Sequence, residues 1–230
     1  DYGFDVEYGS LKEGAIDSSL EAFVNIPIGS NMAARLSAYN VQDGGWIDNQ
    51  KASFTYQNGG INYTINNFTD PYDVAENDYN DSTKEGARLR LAGEFENFDL
   101  DISFLNQDSV VNGSYETDVM NDLQTYNLPD RTNTRFAPEV YKDNFDQMSI
   151  SLSGSITDDI DVVLTSSIFE RDTEYTYDYS SYVEYYSYAA YSYYVCNYYE
   201  YYGYYYIDIN DCRDPRMTYA QSNDIERTAT

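Results

Sequence analysis

The side chains that could carry chemistry in this chain are carboxylates, tyrosines, arginines and two cysteines, because its 230 residues include no histidine. That absence excludes Ser-His and Cys-His nucleophile pairs and imidazole metal ligands. Paired carboxylates remain chemically possible, as in glycoside hydrolysis. With 40 acidic residues, however, no pair stands out from the background. We therefore predict no catalytic residues and no enzyme activity.

Two cysteines, Cys196 and Cys212, flank part of a tyrosine-rich segment. Their separation suits a closed loop better than a metal site, which needs more ligands. We predict a disulfide between them, which would stabilise a loop of this size by about 3 kcal/mol. Such a bond indicates an oxidising compartment, for example a periplasm or a cell surface.

The tyrosine-rich segment is the most unusual local feature of the sequence. Tyrosine presents a large rigid face and a hydroxyl at low entropic cost, which suits stacking on sugars or on aromatic chelates. The same composition is also typical of a low-complexity external loop or of an interfacial girdle. The residues predicted to contact a ligand, on the first interpretation, are Trp46 in an earlier loop and Tyr185, Tyr186, Tyr193, Tyr194, Tyr198, Tyr199, Tyr201 and Tyr202.

The net charge of -27 would repel the phosphates of nucleic acids, so no nucleic-acid partner is predicted. In one acidic stretch, Asp73, Asp78 and Asp81 supply the hard oxygen ligands that calcium takes. The stretch lacks the fixed glycine and terminal glutamate of an EF-hand loop, so the calcium signal is weak. A solvated acidic surface is the better interpretation, and we predict no cofactor.

Alternation of apolar and polar residues dominates the chain, in pairs of segments joined by very short turns. The three clearest pairs lie within 20–39, 87–104 and 147–168. No pattern of period 3.6 persists for three helical turns. The sequence therefore predicts an all-β, antiparallel fold of about eight strands, in which Arg35, Arg88 and Arg90 lie opposite the apolar side chains.

The connections alternate between turns of a few residues and long polar segments, near 43–82, 109–143 and 175–216. Outer-membrane β-barrels have this asymmetry, with short periplasmic turns and long extracellular loops. A soluble sandwich also alternates, because one face of each sheet is wet. The long segments all fall at one end of the strands, which favours the transmembrane barrel.

Several motifs resemble those of one family. Asn25-Ile26-Pro27-Ile28, a sharp turn, the strand Ala34 to Tyr39 and then Asp43-Gly44-Gly45-Trp46-Ile47-Asp48-Asn49 resemble the early barrel of TonB-dependent outer-membrane receptors. The stretch Lys84 to Phe95 is similar to the family's next strand. Leu128 to Arg131 is similar to a segment before a later strand, so the resemblance covers nearly the whole chain.

The resemblance implies that residues 1–230 form part of a β-barrel in a bacterial outer membrane. The family's plug domain and TonB-contacting box are not seen, nor is the aromatic-ended strand that closes the barrel. The chain also begins at Asp1 rather than Met. We therefore expect an internal fragment of a longer receptor, with no transport activity of its own.

For the parent protein, the resemblance implies TonB-energised uptake of a scarce nutrient: a ferric siderophore, haem, cobalamin or an oligosaccharide. The implied partners are the TonB complex through the missing plug, the outer-membrane lipids and an unidentified small molecule. Arg35, Arg88 and Arg90 would face the lumen. There they would line a route for an anion, contact the plug, or pair with carboxylates such as Asp99 and Asp101.

A second hypothesis is an extracellular surface module without transport activity, such as an adhesin or a filament-forming β protein. It would use the tyrosine-rich, disulfide-closed loop for contacts. Such a protein would be soluble or self-assembling, whereas a barrel segment with a lipid-facing surface would aggregate in water.

Overall fold

The computed structural model describes residues 1–58, 61–70, 72–117, 131–157, 159–180 and 218–229. Over these ranges the chain is all-β. Its strands are β1 (Tyr2–Ser10), β2 (Ile16–Ile28), β3 (Met32–Asp43), β4 (Asp48–Asn49), β5 (Ser53–Asn58), β6 (Ile61–Asn66), β7 (Ser82–Glu94), β8 (Phe98–Asn112), β9 (Thr132–Asn133), β10 (Val140–Thr157), β11 (Ile160–Asp178) and β12 (Thr218–Ala229). No helix in the described ranges is long and apolar enough to cross a bilayer.

Eight of these strands form one antiparallel sheet, in the order β1-β2-β3-β7-β8-β10-β11-β12. Every large strand therefore pairs with the large strands that precede and follow it in the chain. The prediction of an antiparallel fold with about eight strands is confirmed. The sheet is open, because β1 and β12 are its two edges and do not pair with each other.

Side chains separate onto two faces of this sheet, as the alternation predicts. The register aligns the predicted apolar residues across successive strands rather than only within each hairpin. One row of directly paired residues consists of Val24, Leu36, Leu89, Phe104, Met148 and Ile168. We call the face that carries this row the apolar face and the opposite one the polar face.

Farther along β10, β11 and β12, away from the short turns, the side chains on the apolar face are acidic rather than apolar. In register, Asp146 lies opposite Glu170 and Glu170 opposite Glu226. Asp172 likewise lies opposite Asp224. Like charges that face each other across neighbouring strands destabilise a sheet. The apolar belt is therefore bounded on one side by an acidic zone on β10, β11 and β12.

The two ends of the sheet differ in their connections, as predicted. At one end, hereafter the turn end, β2–β3, β7–β8 and β10–β11 are joined by two or three residues. Gly29 has φ 75°, a left-handed conformation that a tight turn needs and that glycine adopts at low cost. At the other end, the loop end, lie the long connections and a short one between β1 and β2.

The predicted loop boundaries were wrong by several residues at two loops. The strands continue through Asn112, restart at Val140 and continue through Asp178, so the connections between them span 113–139 and 179–217. The ends of these strands mix polar residues with valine and tyrosine, which obscures the alternation pattern. The long connection between β3 and β7 contains three short strands, β4, β5 and β6.

Aromatic rings cover glycines at three places, twice from a neighbouring strand and once from the β7–β8 turn. A Cβ atom built on Gly3 would lie 2.6 Å from the ring of Phe23, and one on Gly86 would lie 2.6 Å from the Tyr39 hydroxyl. On the apolar face, a Cβ on Gly93 would lie 2.8 Å from the Phe95 ring. These rings protect glycine backbone that has no side chain of its own, a device that favours curved sheets.

The buried core lies beside the sheet at its loop end rather than on either sheet face. Its buried apolar residues are Ile47, Ile65, Tyr79, Phe136 and Ala137. They come from the first two long loops, and the short parallel pair β4–β9 lies among them. We call this loop cluster, built from 44–49, 65–81 and 132–139, the cap.

Candidate functional site

Three predicted arginines gather on the polar face of β3 and β7. Arg35 and Arg90 lie directly opposite each other in the register, and Arg88 is on the same face two residues along β7. Strand pairing thus brings together guanidinium groups that are distant in sequence. Two cations facing each other across strands repel, so this patch favours an anionic group placed between them.

The arginines have different partners. Arg90 forms the predicted ion pair with Asp101, with 2.6 Å between Nε and Oδ2. Arg88 donates a hydrogen bond from Nε to the hydroxyl of Ser103 over 3.3 Å. Of the alternatives given for these arginines, pairing with a carboxylate is therefore observed for Arg90.

Arg35 has an aromatic partner instead of a carboxylate. Its guanidinium lies 4.0 Å from the centre of the Phe23 ring, a cation-π geometry. The side chain lies in a shallow cleft of about 380 Å³, together with Tyr39, Glu21 and Asp5. Tyr39 in turn donates a hydrogen bond to Gln107 Oε1 over 2.6 Å.

A second charged pair on the polar face was missed by the sequence reasoning. Arg171 on β11 makes a bidentate ion pair with Asp143 on β10, over 2.7 Å from Nε and 2.6 Å from Nη2. This two-pronged geometry is among the strongest polar contacts in proteins. Its only sequence signal was the spacing of the two residues on adjacent strands, and 143 had been placed at the end of a loop.

Aromatic residues line the same region of the polar face. Phe145 and Phe169 have ring centres 5.6 Å apart, and Tyr175 and Tyr177 have ring centres 5.2 Å apart. Tyr141 lies directly opposite Tyr175 in the register. The sequence did not predict these residues as ligand contacts, because the segment that follows them is much richer in tyrosine.

The cap is held together by asparagine side chains that bond to backbone groups. The Asn80 Oδ1 accepts hydrogen bonds from the N–H groups of Trp46 and Ile47, each over 2.7 Å. Asn67 accepts one from the Ala52 N–H and donates to the carbonyls of Gln50 and Arg135. Both asparagines are fully buried. They hold the loop backbone together from inside the cap.

The cap also contains a buried ion pair. Arg135 Nε lies 3.1 Å from Glu139 Oε2, and both residues are buried. The hydroxyl oxygen of Tyr79 accepts a hydrogen bond from the Glu139 N–H over 3.0 Å. Burial raises the pKa of Tyr79 well above its ordinary value, so the phenol stays neutral. These contacts fix the entry of the chain into β10.

Trp46, a predicted ligand contact, belongs to the cap. Its backbone is fixed by Asn80, and its side chain is half-buried near Gly14 in the β1–β2 connection. The other predicted ligand contacts, Tyr185, Tyr186, Tyr193, Tyr194, Tyr198, Tyr199, Tyr201 and Tyr202, lie outside the described residues. Cys196 and Cys212 lie outside them as well.

The weak calcium candidate is not assembled. Asp81 Oδ1 accepts a hydrogen bond from Asn112, and the backbone of Asp78 bonds to Asp48. The described ranges contain no group of three or more acidic or thiol side chains arranged to hold a metal ion. Asp73 and Asp81 instead act on Glu76, whose pKa is raised by burial first and by these two charges second.

The comparisons with known proteins return nothing for this chain. No family model, no curated protein and no solved structure matches it. The functional argument therefore depends on the residues and their geometry.

Proposed function

We propose that this chain is part of a bacterial outer-membrane β-barrel whose apolar face contacts lipid. One observation carries the proposal: the apolar face is a single uncovered surface. Leu36 is 48% exposed, Phe104 45% and Met148 51%, and no second sheet packs on them within the described ranges. A water-soluble sandwich would bury these side chains between two sheets.

The dimensions of the apolar surface agree with a bilayer. On β11 its apolar residues run from Ile160 to Ile168, which corresponds to about 26 Å along the strand. A strand tilted by about 40° would then cover roughly 20 Å of the bilayer normal, near the apolar band of about 25 Å in such barrels. An apolar belt much shorter or much taller than this would not match the thickness of the hydrocarbon layer.

The composition of the polar face is consistent with the inner, water-filled side of a barrel. It carries Arg35, Arg88, Arg90 and the Arg171–Asp143 pair, which are costly to expose to hydrocarbon. The open edges at β1 and β12 leave backbone groups for further strands to pair with. A closed barrel satisfies those groups, as a lipid environment requires.

Within this proposal, the receptor function comes from the resemblance to TonB-dependent receptors. The parent protein would take up a scarce nutrient with energy from the TonB complex, which it would contact through a plug. Residues Gly44 to Asn49 of the Asp43 to Asn49 signature form part of the ordered cap, at the end where receptor loops meet ligand. The substrate class stays open among siderophores, haem, cobalamin and oligosaccharides.

The rival is a surface module that self-assembles through its exposed sheet. The open edges and the uncovered apolar face favour it as much as they favour a barrel segment, because both promote association in water. The two hypotheses differ in what covers the apolar face. A filament covers it with protein, and a barrel covers it with lipid.

A matched pair of variants on β10 separates these hypotheses. Ile150 lies in the middle of the apolar belt, and its neighbour Ser149 lies on the polar face. In phospholipid vesicles, we expect Ile150→Lys to lose about 2–4 kcal/mol of folded-state stability, the cost of a lysine near the midplane. Ser149→Lys should change it little. The measurement is the fraction of each chain that floats with vesicles and resists protease, across a urea series.

Equal effects of the two lysines would contradict the lipid-facing proposal. So would a wild-type chain that stays monodisperse in detergent-free sedimentation and never floats with vesicles. Filaments that form in water and exclude added lipid would favour the surface module.

A further inference from the structure

Five aromatic side chains lie on one surface, the polar face of β10 and β11, in two groups separated by the Arg171–Asp143 ion pair. Phe169 and Phe145 contact each other near the middle of the strands, and Tyr141, Tyr175 and Tyr177 lie further toward the loop end. From Phe169 to Tyr177 the surface extends about 26 Å along β11. We call these five residues the aromatic track.

The track leads into a cleft at the loop end. The cleft has a volume of about 400 Å³ and is lined by Tyr115, Tyr141 and Tyr177 with Ser114, Glu116 and Glu139. Its size falls in the usual range for small-molecule sites. Tyr177 is 42% exposed and Tyr115 55% exposed, so part of each ring is open to a ligand.

The charges beside the track are largely neutralised. Asp143 is paired with Arg171, and Glu139 is paired with Arg135. The side chain of Glu116 is 85% exposed, with its carboxylate 3.8 Å from Arg135. The track therefore consists of two aromatic groups with a neutralised ion pair between them and hydrogen-bonding groups beside them, including Gln221, which accepts from the Tyr175 hydroxyl.

We propose that the aromatic track binds a neutral oligosaccharide. Sugar rings present apolar C–H faces that stack on aromatic rings, and their hydroxyls bond to flanking carboxylate and amide groups. An anionic chelate would meet an unfavourable field in a chain of net charge -27. A track several rings long favours an extended ligand over a single sugar. The inference rests on the proposed function in one respect, that the polar face is open to water.

The test measures binding of maltohexaose and of glucose by calorimetry, using the full chain in detergent micelles. We expect maltohexaose to bind more tightly than glucose, because it can cover more of the track. The double variant Tyr141→Ala/Tyr177→Ala should weaken maltohexaose binding about tenfold, from the loss of two stacking rings. Tyr141→Phe, which keeps the ring, should retain most of the affinity.

Tyr8→Ala is the matched control, since Tyr8 lies on the opposite sheet face and is 78% exposed. Its affinity should equal that of the wild type. Unchanged affinity in the double alanine variant would overturn the proposal, and so would wild-type binding of tetramethylammonium but not of maltohexaose. Failure of all sugar binding while Ile150→Lys still blocks vesicle insertion would refute the track alone and leave the membrane proposal intact.

Discussion

At the scale of single residues, the least predictable feature is the role of the asparagines. Asn67 and Asn80 occur in polar loops, where the sequence offered no reason to bury them. Their amide groups are nevertheless the main internal partners of loop backbone, because irregular backbone has no ladder to satisfy its polar groups. Burial of an amide depends on the tertiary path of the loop, which local composition does not encode.

Asn80 provides a direct test of this bracing. Asn80→Ala leaves the N–H groups of Trp46 and Ile47 without their acceptor, which should cost about 2–3 kcal/mol of cap stability. We expect the amides of these two residues to exchange hydrogen much faster, as measured by mass spectrometry. Asn77→Ala, at an exposed position of the same loop, should have little effect. Similar exchange in the two variants would show that Asn80 does not hold the cap.

At the scale of strands, alternation predicted which residues share a face, and the register confirms it through Leu36, Leu89 and Phe104. It did not predict where β11 ends, since Thr176 and Asp178 continue the ladder within the predicted third loop. It also missed the contacts between adjacent strands, such as Arg171 with Asp143. A period-two pattern shows which face of a strand is apolar, but it does not show which polar side chains pair across strands.

The acidic zone predicts that removing a repulsive pair stabilises the sheet. Glu226 lies opposite Glu170, so Glu226→Lys replaces two like charges by an attractive pair. We expect a gain of roughly 0.2–1 kcal/mol, seen as a higher urea midpoint in vesicles at low salt. High salt should reduce the gain.

Glu96→Lys is the control for that change, because it alters the net charge equally at an exposed turn position without a cross-strand partner in the sheet. If Glu96→Lys raises the midpoint as much as Glu226→Lys, the gain reflects net charge alone. The paired acidic rows would then play no part in it.

At the scale of the whole molecule, the main feature is an open sheet of a single layer. Among the described residues, the buried apolar side chains lie in the cap, while the apolar face of the sheet stays uncovered. The sequence predicted an antiparallel fold of about eight strands, because its alternating segments occur in pairs joined by short turns. It could not predict closure, since closure depends on what pairs with β1 and β12. The environment of the apolar face is therefore the central question.

Lipid accessibility along β10 answers it most directly. Residues 148–152 would be changed to cysteine one at a time, in a background where Cys196 and Cys212 are serine, labelled with a fluorophore and placed in vesicles with brominated acyl chains. We predict strong quenching at Met148, Ile150 and Leu152 and weak quenching at Ser149 and Ser151, because these positions alternate between faces. Uniform quenching, or stronger quenching at the two serines, would contradict a lipid-facing apolar surface.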